Sequence, residues 1–343
     1  MSYIQHNVMI EKIQDNFLAI SAVTQARVGA VIKANGYGHG SIEVAQGLEK
    51  VGCRLFFVGD VEEGVRVRTC GISGAIFPLL GIHNSEDVAK CSKYELTPVV
   101  HMKEQIALVR GYARPIAIKC DTGMSRLGFR LDELEECLAL CKEYNIEIGY
   151  LLSHLTTSLD NQSVLRQKEE FDAMCSLVRS SYPDVQVSLG NSGSLDCDIT
   201  LQYDIVRCGI SLYGYDIDIV KVQPAMEVYT SILQIRDIPQ GRTVSYNNTF
   251  VAPYDMRVAS IACGYADGYH RKSTGAYVMI EGEQAPIIGT ICMQLCIVDI
   301  SHIEGVTLSS KAYIIQPSLG LCATTVGSFW GTIPFEVLCS LGK

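Results

Sequence analysis

The chain has 343 residues, 48% of them hydrophobic, and a formal net charge of −9, with an isoelectric point near 5.3. That is core enough for one large domain and a smaller one. The acidic balance, with no basic or basic–aromatic patch, argues against nucleic acid as a partner, and no apolar run is long enough to span a bilayer.

The opening stretch Met1-Ser2-Tyr3-Ile4-Gln5-His6 lacks the basic and apolar regions of a secretion signal, which predicts a cytoplasmic location. From residue 27 to about 215 strand and helix patterns alternate. Strands are predicted at 27–34, 54–60, 75–81, 96–102, 115–121, 146–154, 185–192 and 204–210. Helical stripes fall between them: Val44, Leu48 and Val51; Leu134, Cys137, Leu138 and Cys141; Phe171, Met174, Cys175 and Val178, in a helix expected over 169–180. Eight β–α units predict an α/β fold, a (β/α)8 TIM-type barrel, with a doubly wound open sheet as the rival.

The pattern changes after Gly214. Short β-branched runs at 227–237, 257–263, 276–281, 285–291 and 312–317 are separated by turns, and Glu281-Gly282-Glu283-Gln284 reads as a hairpin turn. No long helix is expected before the last dozen residues. The predicted domains are therefore 1–222, a cofactor-binding barrel, and 223–343, mainly β, joined near 216–226. The fourteen cysteines show no disulfide framework, and Cys137/Cys141 and Cys292/Cys296 lack zinc-ribbon spacing. They are read as reduced thiols acting as small hydrophobes, with no metal site.

A barrel puts its active residues at the C-terminal ends of its strands. Polar residues unusual for a strand fall there: Lys33, Lys119 and Asp121, His154, Asn191 and Ser192, and Arg207. Each has a plain alternative. His154 could be a satisfied structural histidine, Asp121 a turn cap, Arg207 a counter-ion. Lys33 ends an apolar strand just before Asn35-Gly36-Tyr37-Gly38-His39-Gly40, and Ser41 then opens a helix. An amine there suits a bond to a carbonyl cofactor, because desolvation makes such an amine nucleophilic. The glycines let backbone approach a phosphate or a ring closely.

Several stretches together resemble the alanine racemases, pyridoxal-phosphate enzymes with a barrel and a C-terminal β domain. They are 31–40, 119–128, Ser153-His154, Gly190-Asn191-Ser192, 206–214, Val244-Ser245-Tyr246, 264–268 and 289–293. The resemblance covers nearly the whole chain. It implies an isomerase that interconverts L- and D-alanine with pyridoxal 5'-phosphate, in D-alanine biosynthesis for the cell wall. It implies that Lys33 holds the cofactor as a Schiff base and acts as one base, with Tyr246 as the opposite base. Tyr37, Ser192, Gly209 and Ile210 would bind the phosphate. Arg207 would face the pyridine nitrogen, and His154 would bridge Arg207 and Tyr246. Arg126 would steady the substrate carboxylate, Lys119 beside it would be a candidate for carbamylation, and Tyr265 and Met293 would line the entrance. In that family the opposite base comes from a second subunit, which implies a head-to-tail homodimer.

These roles cohere physically. Two groups on opposite faces of a planar intermediate can remove and return the α-proton without turning the substrate. An arginine at the ring nitrogen cannot accept a proton, which leaves the ring a weaker electron sink and favours clean proton return. Free phenol titrates near 10, so a tyrosine base needs nearby positive charge.

Two departures widen the choice of substrate. Gln294 follows Met293 where family members carry aspartate, and Lys343 falls about where a phosphate-contacting tyrosine is expected. Either the chain is trimmed there or the pocket is wider, and a wider pocket admits serine, since one methylene or hydroxyl is worth about 1–3 kcal/mol. A serine or broad-specificity racemase is one alternative. The others are an amino-acid decarboxylase on the same barrel and a non-catalytic cofactor carrier. An arginine at the ring nitrogen argues against the first of these, and a full second domain argues against the carrier.

Overall fold

The computed structural model describes residues 3–201 and 203–342. Met1 and Ser2 of the opening stretch, and Lys343 at the expected tyrosine position, lie outside the described residues. The first nine strands are β1 (Gln5–Val8), β2 (Arg27–Val31), β3 (Leu55–Val58), β4 (Ala75–Pro78), β5 (Val99–Val100), β6 (Ile116–Lys119), β7 (Ile148–Leu152), β8 (Gln186–Ser188) and β9 (Ile205–Cys208). Two compact units divide the chain. One comprises Ile10–Gly36 and Gly40–Gln223, the other the N-terminal residues up to Met9, Tyr37–His39 and the chain from Pro224.

In the first unit β2 to β9 are the eight expected strands, all parallel. They run as β4-β3-β2-β9 and β5-β6-β7-β8. Thr97 N–H donates to Ile76 O, and Arg207 N–H to Gly190 O, which joins the two sheets on both sides into a closed barrel. β3 and β6 are buried at every residue. Strands covered on both faces read as unbroken apolar runs, and this is why the eight were visible in the sequence. The helices Leu131–Glu143 and Asn161–Arg179 bury the expected stripes, and Ser41–Lys50 buries Val44 and Leu48, while Val51 caps its end and is only half-buried. The last begins eight residues earlier than the expected 169 and so brings Gln167 into its buried face.

The second unit adds β10 (Met226–Ile238), β11 (Thr243–Val244), β12 (Phe250–Val251), β13 (Met256–Ile261), β14 (Tyr277–Ile280), β15 (Glu283–Ile288), β16 (Cys296–Asp299) and β17 (Lys311–Ile315). The order β10-β13-β16-β15-β14-β17 closes through a β17–β10 pairing into an antiparallel barrel. Closure removes the exposed edges of an open sheet. β14 and β15 form the expected hairpin, and Glu281 and Gly282 both have positive φ, 49° and 86°. That is the mirror-image turn whose twist suits two-residue hairpins. β16 has only four residues and was not anticipated. β1 corrects the expected boundary: residues 3–9 belong with this unit because β1 pairs with β10. The C-terminal end is two short helices, Ala323–Trp330 and Pro334–Leu341.

No disulfide joins cysteines among the described residues. Among the described residues, no helix is long and apolar enough to cross a membrane.

Candidate functional site

The expected strand ending in Lys33 stops pairing at Val31, and Lys33 starts a left-handed turn. Ala34, Asn35, Gly36 and Tyr37 have φ of 52°, 52°, 65° and 52°. A non-glycine residue in this region costs roughly 1–2 kcal/mol, so the turn must be held from outside. Glu63 does part of this: its carboxylate accepts from Asn35 N–H at 2.8 Å and from Gly59 N–H at 2.6 Å. The Asn35 side-chain oxygen in turn accepts from Ser41 N–H at 3.0 Å. Glu63 gave no sign of this in the sequence, because an acid in the first turn of a helix ordinarily serves the helix dipole.

Lys119 ends β6 and is buried. Burial, then the charges of Arg126, Arg207 and Lys33, pushes its ammonium down to about 8. Arg126 is exposed on the loop after β6. That loop is shaped by Asp121, whose carboxylate accepts from Gly123 N–H at 3.0 Å and Ser125 N–H at 2.9 Å. Asp121 is thus the turn cap its plain reading suggested.

Arg207 lies within β9 and is buried. Nη1 donates to Ser188 O at 3.0 Å and to Ser188 Oγ; Nη2 donates to Ser153 O and lies 3.3 Å from His154 Nδ1. These partners are all neutral, and among the described residues no carboxylate forms an ion pair with it. Burial pulls its guanidinium down to about 10. Burial and the surrounding cations, Arg207 foremost, pull the His154 imidazole down to about 3. The ring is therefore neutral at any working pH. With Nδ1 accepting from Arg207, its proton is on Nε2.

Ser192 and Gly209 meet directly: Gly209 N–H donates to Ser192 Oγ at 3.0 Å. Ser211, which sequence reasoning missed, bonds the same hydroxyl at 2.9 Å. Ile210 follows at the start of a short 3-10 turn. Lys33, Lys119, Arg126, His154 and Arg207 thus share one electrostatic neighbourhood in the barrel unit, and Ser192, Gly209 and Ile210 cluster beside the end of β9.

The other four predicted residues belong to the second unit. Tyr37 is buried, its ring 6.1 Å from that of Phe335. Burial raises its phenol well above the usual range. Tyr246 is 64% exposed. It sits between Ser245 and Asn247, both with positive φ, 66° and 60°. Segment 289–295 pins that loop. Thr290 O accepts from Ser245 Oγ, and Thr290 Oγ1 donates to Tyr246 O at 3.2 Å. The same segment holds the Tyr265 turn through Tyr265 N–H to Cys292 O at 3.2 Å and Ala266 N–H to Met293 O at 2.8 Å. A Cβ at Gly264 would lie 2.4 Å from both carbonyl oxygens, so only glycine permits this approach. Tyr246, Tyr265 and Met293 are therefore carried by one connected set of loops.

Two family models match, "Alanine racemase, N-terminal domain" over residues 8–217 and "Alanine racemase, C-terminal domain" over 225–343. The alanine racemase of Nitratidesulfovibrio vulgaris (strain DSM 19637 / Miyazaki F) is 37% identical over 98% of this chain and 95% of its own. The solved alanine racemase of Clostridium difficile 630 superposes with a TM-score of 0.92 at 26% identity, over 99% of this chain and 93% of that one. The Bartonella henselae alanine racemase, solved with covalently bound pyridoxal phosphate, gives 0.88 at 29% identity, over 99% and 97%. With both of its units matched, the chain belongs to the alanine racemase family.

Proposed function

We propose that this racemase works at composite sites in a head-to-tail homodimer, the barrel cluster of one copy acting with the Tyr246 loop of the other. The enzyme is a pyridoxal-phosphate-dependent amino-acid racemase acting on alanine. The observation that carries the reading is Arg207, a buried guanidinium with only neutral acceptors, set among Lys33, Lys119 and Arg126. A buried guanidinium without an anion beside it is costly, and a bound anionic group would offset that cost. The donor set fits pyridoxal phosphate: a lysine amine, a guanidinium for an aromatic nitrogen, and the Ser192 hydroxyl with backbone N–H for phosphate. When bound, that cofactor supplies an electron sink for the pair left when the substrate loses its α-proton.

Lys33 would hold the cofactor covalently and move the proton on one face; the Tyr246 phenol would do so on the other. Arg126 would bind the substrate carboxylate, Tyr37 would join Ser192, Gly209 and Ile210 on the phosphate, and Tyr265 and Met293 would flank the entry. Neutral His154, its Nδ1 engaged by Arg207, keeps an N–H on Nε2 to donate to a phenolate oxygen. Lys119, neutral in good part near pH 8, is suited to add carbon dioxide, losing a proton and giving Arg126 an anionic neighbour. A reducing, cytoplasmic setting is supported by the cysteines buried as small apolar side chains with no disulfide among the described residues.

A panel of L-amino acids in deuterated water tests the reading. Alanine should both exchange its α-hydrogen and form the other enantiomer, faster than serine. Carbon dioxide release, or exchange without inversion, would refute it.

A further inference from the structure

We infer that Gln167, on the outer helix Asn161–Arg179, is a positioning residue that clamps together the loops carrying Arg126 and His154. Its exposure is 1%, on a face otherwise lined by Val164, Phe171 and Met174. The amide orientation is fixed by two backbone groups, since a carbonyl can only accept and an N–H can only donate. Nε2 donates to His154 O at 3.2 Å, and Oε1 accepts from Thr156 N–H at 2.9 Å. The remaining capacity is also used: Nε2 donates to Thr122 Oγ1 at 3.1 Å, and Thr156 Oγ1 donates to Oε1 at 2.8 Å. All four hydrogen bonds available to a glutamine amide are made.

These bonds reach two strand ends at once. Thr122 stands in the loop after β6, four residues before Arg126. His154 and Thr156 stand in the loop after β7. Thr122 Oγ1 also pairs with Ser153 Oγ at 2.8 Å, and Ser153 O accepts from Arg207 Nη2. One buried side chain is thereby linked to the loop of Arg126, to the His154 backbone and, through Ser153, to Arg207. A fully satisfied buried network rigidifies what it joins, and a half-satisfied one does not. Gln167 touches none of the reacting atoms, so its effect must pass through His154, Arg207 and Arg126.

The inference rests on the reading of His154 as a site residue, and two independent measurements on the holoenzyme separate them. Gln167→Met keeps the volume and removes every hydrogen bond. Hydrogen exchange should rise about tenfold or more in both 120–128 and 153–160, with the β2 and β9 strands unchanged. Thr156→Val should give a smaller rise in the same two segments, and Thr156→Ser should restore the parent pattern. In kinetics, Gln167→Met should lower kcat by about 10- to 100-fold in the parent and by a clearly smaller factor in His154→Ala, where one of its three routes is gone. Exchange rising in one loop only, or evenly through the barrel, would overturn the clamp, and so would equal kcat losses in both backgrounds. His154→Ala without loss of activity would count against the role of His154, and the exchange pattern alone would then decide the clamp.

Discussion

The two units prepare their functional groups in opposite ways. In the barrel unit Lys119 and Arg207 are buried in their strands, and Arg207 is oriented by the Ser188 and Ser153 carbonyls and by His154. In the β unit, Tyr37 apart, the side chains face outward: Tyr246, Met293 and Tyr265 are 64%, 57% and 43% exposed, although their loops are pinned beneath. In the barrel, Arg207 meets only neutral partners. The β unit has an aromatic surface without a cover. In the function proposed above, an anionic cofactor and substrate would answer the first arrangement and a second copy the other.

The strongest way to break that comparison is at the covalent anchor. Lys33→Ala should abolish the visible absorbance of the purified enzyme and cut racemisation at least about 10³-fold, roughly 4 kcal/mol of barrier. Retained colour with retained activity would mean that the barrel cluster is not the cofactor site.

Tyr246→Phe comes next, with an expected loss of about 10²- to 10³-fold, in the range of a single acid–base group. In deuterated water the loss should fall on one enantiomer's exchange far more than on the other's. The same two variants test whether sites are shared between copies. Co-expressed Lys33→Ala and Tyr246→Phe chains should regain roughly a quarter of parent activity, because half the dimers are hybrids with one intact site of two. No recovery from mixed dimers would assign Tyr246 to the chain that carries its own Lys33.

A third test sharpens the charge side. The Lys119 ammonium is held near 8 in the fold against 10.5 when unfolded. Between those values the unfolded chain binds more protons, so stability rises with pH there. Below pH 8 both states are charged and the burial cost is present in full. Lys119→Met should therefore be the more stable protein by up to about 3 kcal/mol at pH 7 in carbon-dioxide-free buffer. The advantage should fade as pH approaches 10.5. Bicarbonate near pH 8 should narrow it too, by stabilising the parent as its carbamate. Thermal unfolding at the three conditions checks all of this, and an advantage that grows with pH would contradict the assigned cause.

The same contrast explains what the sequence could reveal. Barrel strands were legible because burial on both faces writes continuous apolar runs, and Lys33, Lys119 and Arg207 stood out as polar residues in them. The turn after Lys33 was legible only in its glycines. Ala34, Asn35 and Tyr37 also take positive φ, and no local signal tells an L-residue to do so. Glu63 and Gln167 were missed for a common reason: each bonds backbone groups, Asn35 N–H for one and His154 O and Thr156 N–H for the other, and backbone partners leave no side-chain pattern to read. Gln167 also fell outside the helix as predicted. β16 escaped because four residues carry too little alternation, and β1 because its partner strand lies some 220 residues away.

The smallest effect probes whether the exposed tyrosine is as well fixed as the buried charges. Thr290 holds its loop twice, through its carbonyl to Ser245 Oγ and through its hydroxyl to Tyr246 O. Thr290→Val removes only the second bond and a 3.2 Å contact with Thr249 Oγ1, worth about 0.5–1.5 kcal/mol on a surface loop. The expected result is a kcat loss below about tenfold, with no change in cofactor affinity, since nothing in the barrel unit is touched. A loss as large as that of Tyr246→Phe would show that the phenol's position hangs on this one hydroxyl. The strained residues flanking Tyr246 would then be held far less redundantly than the left-handed turn beside Lys33, where Glu63 and Ser41 both act on Asn35.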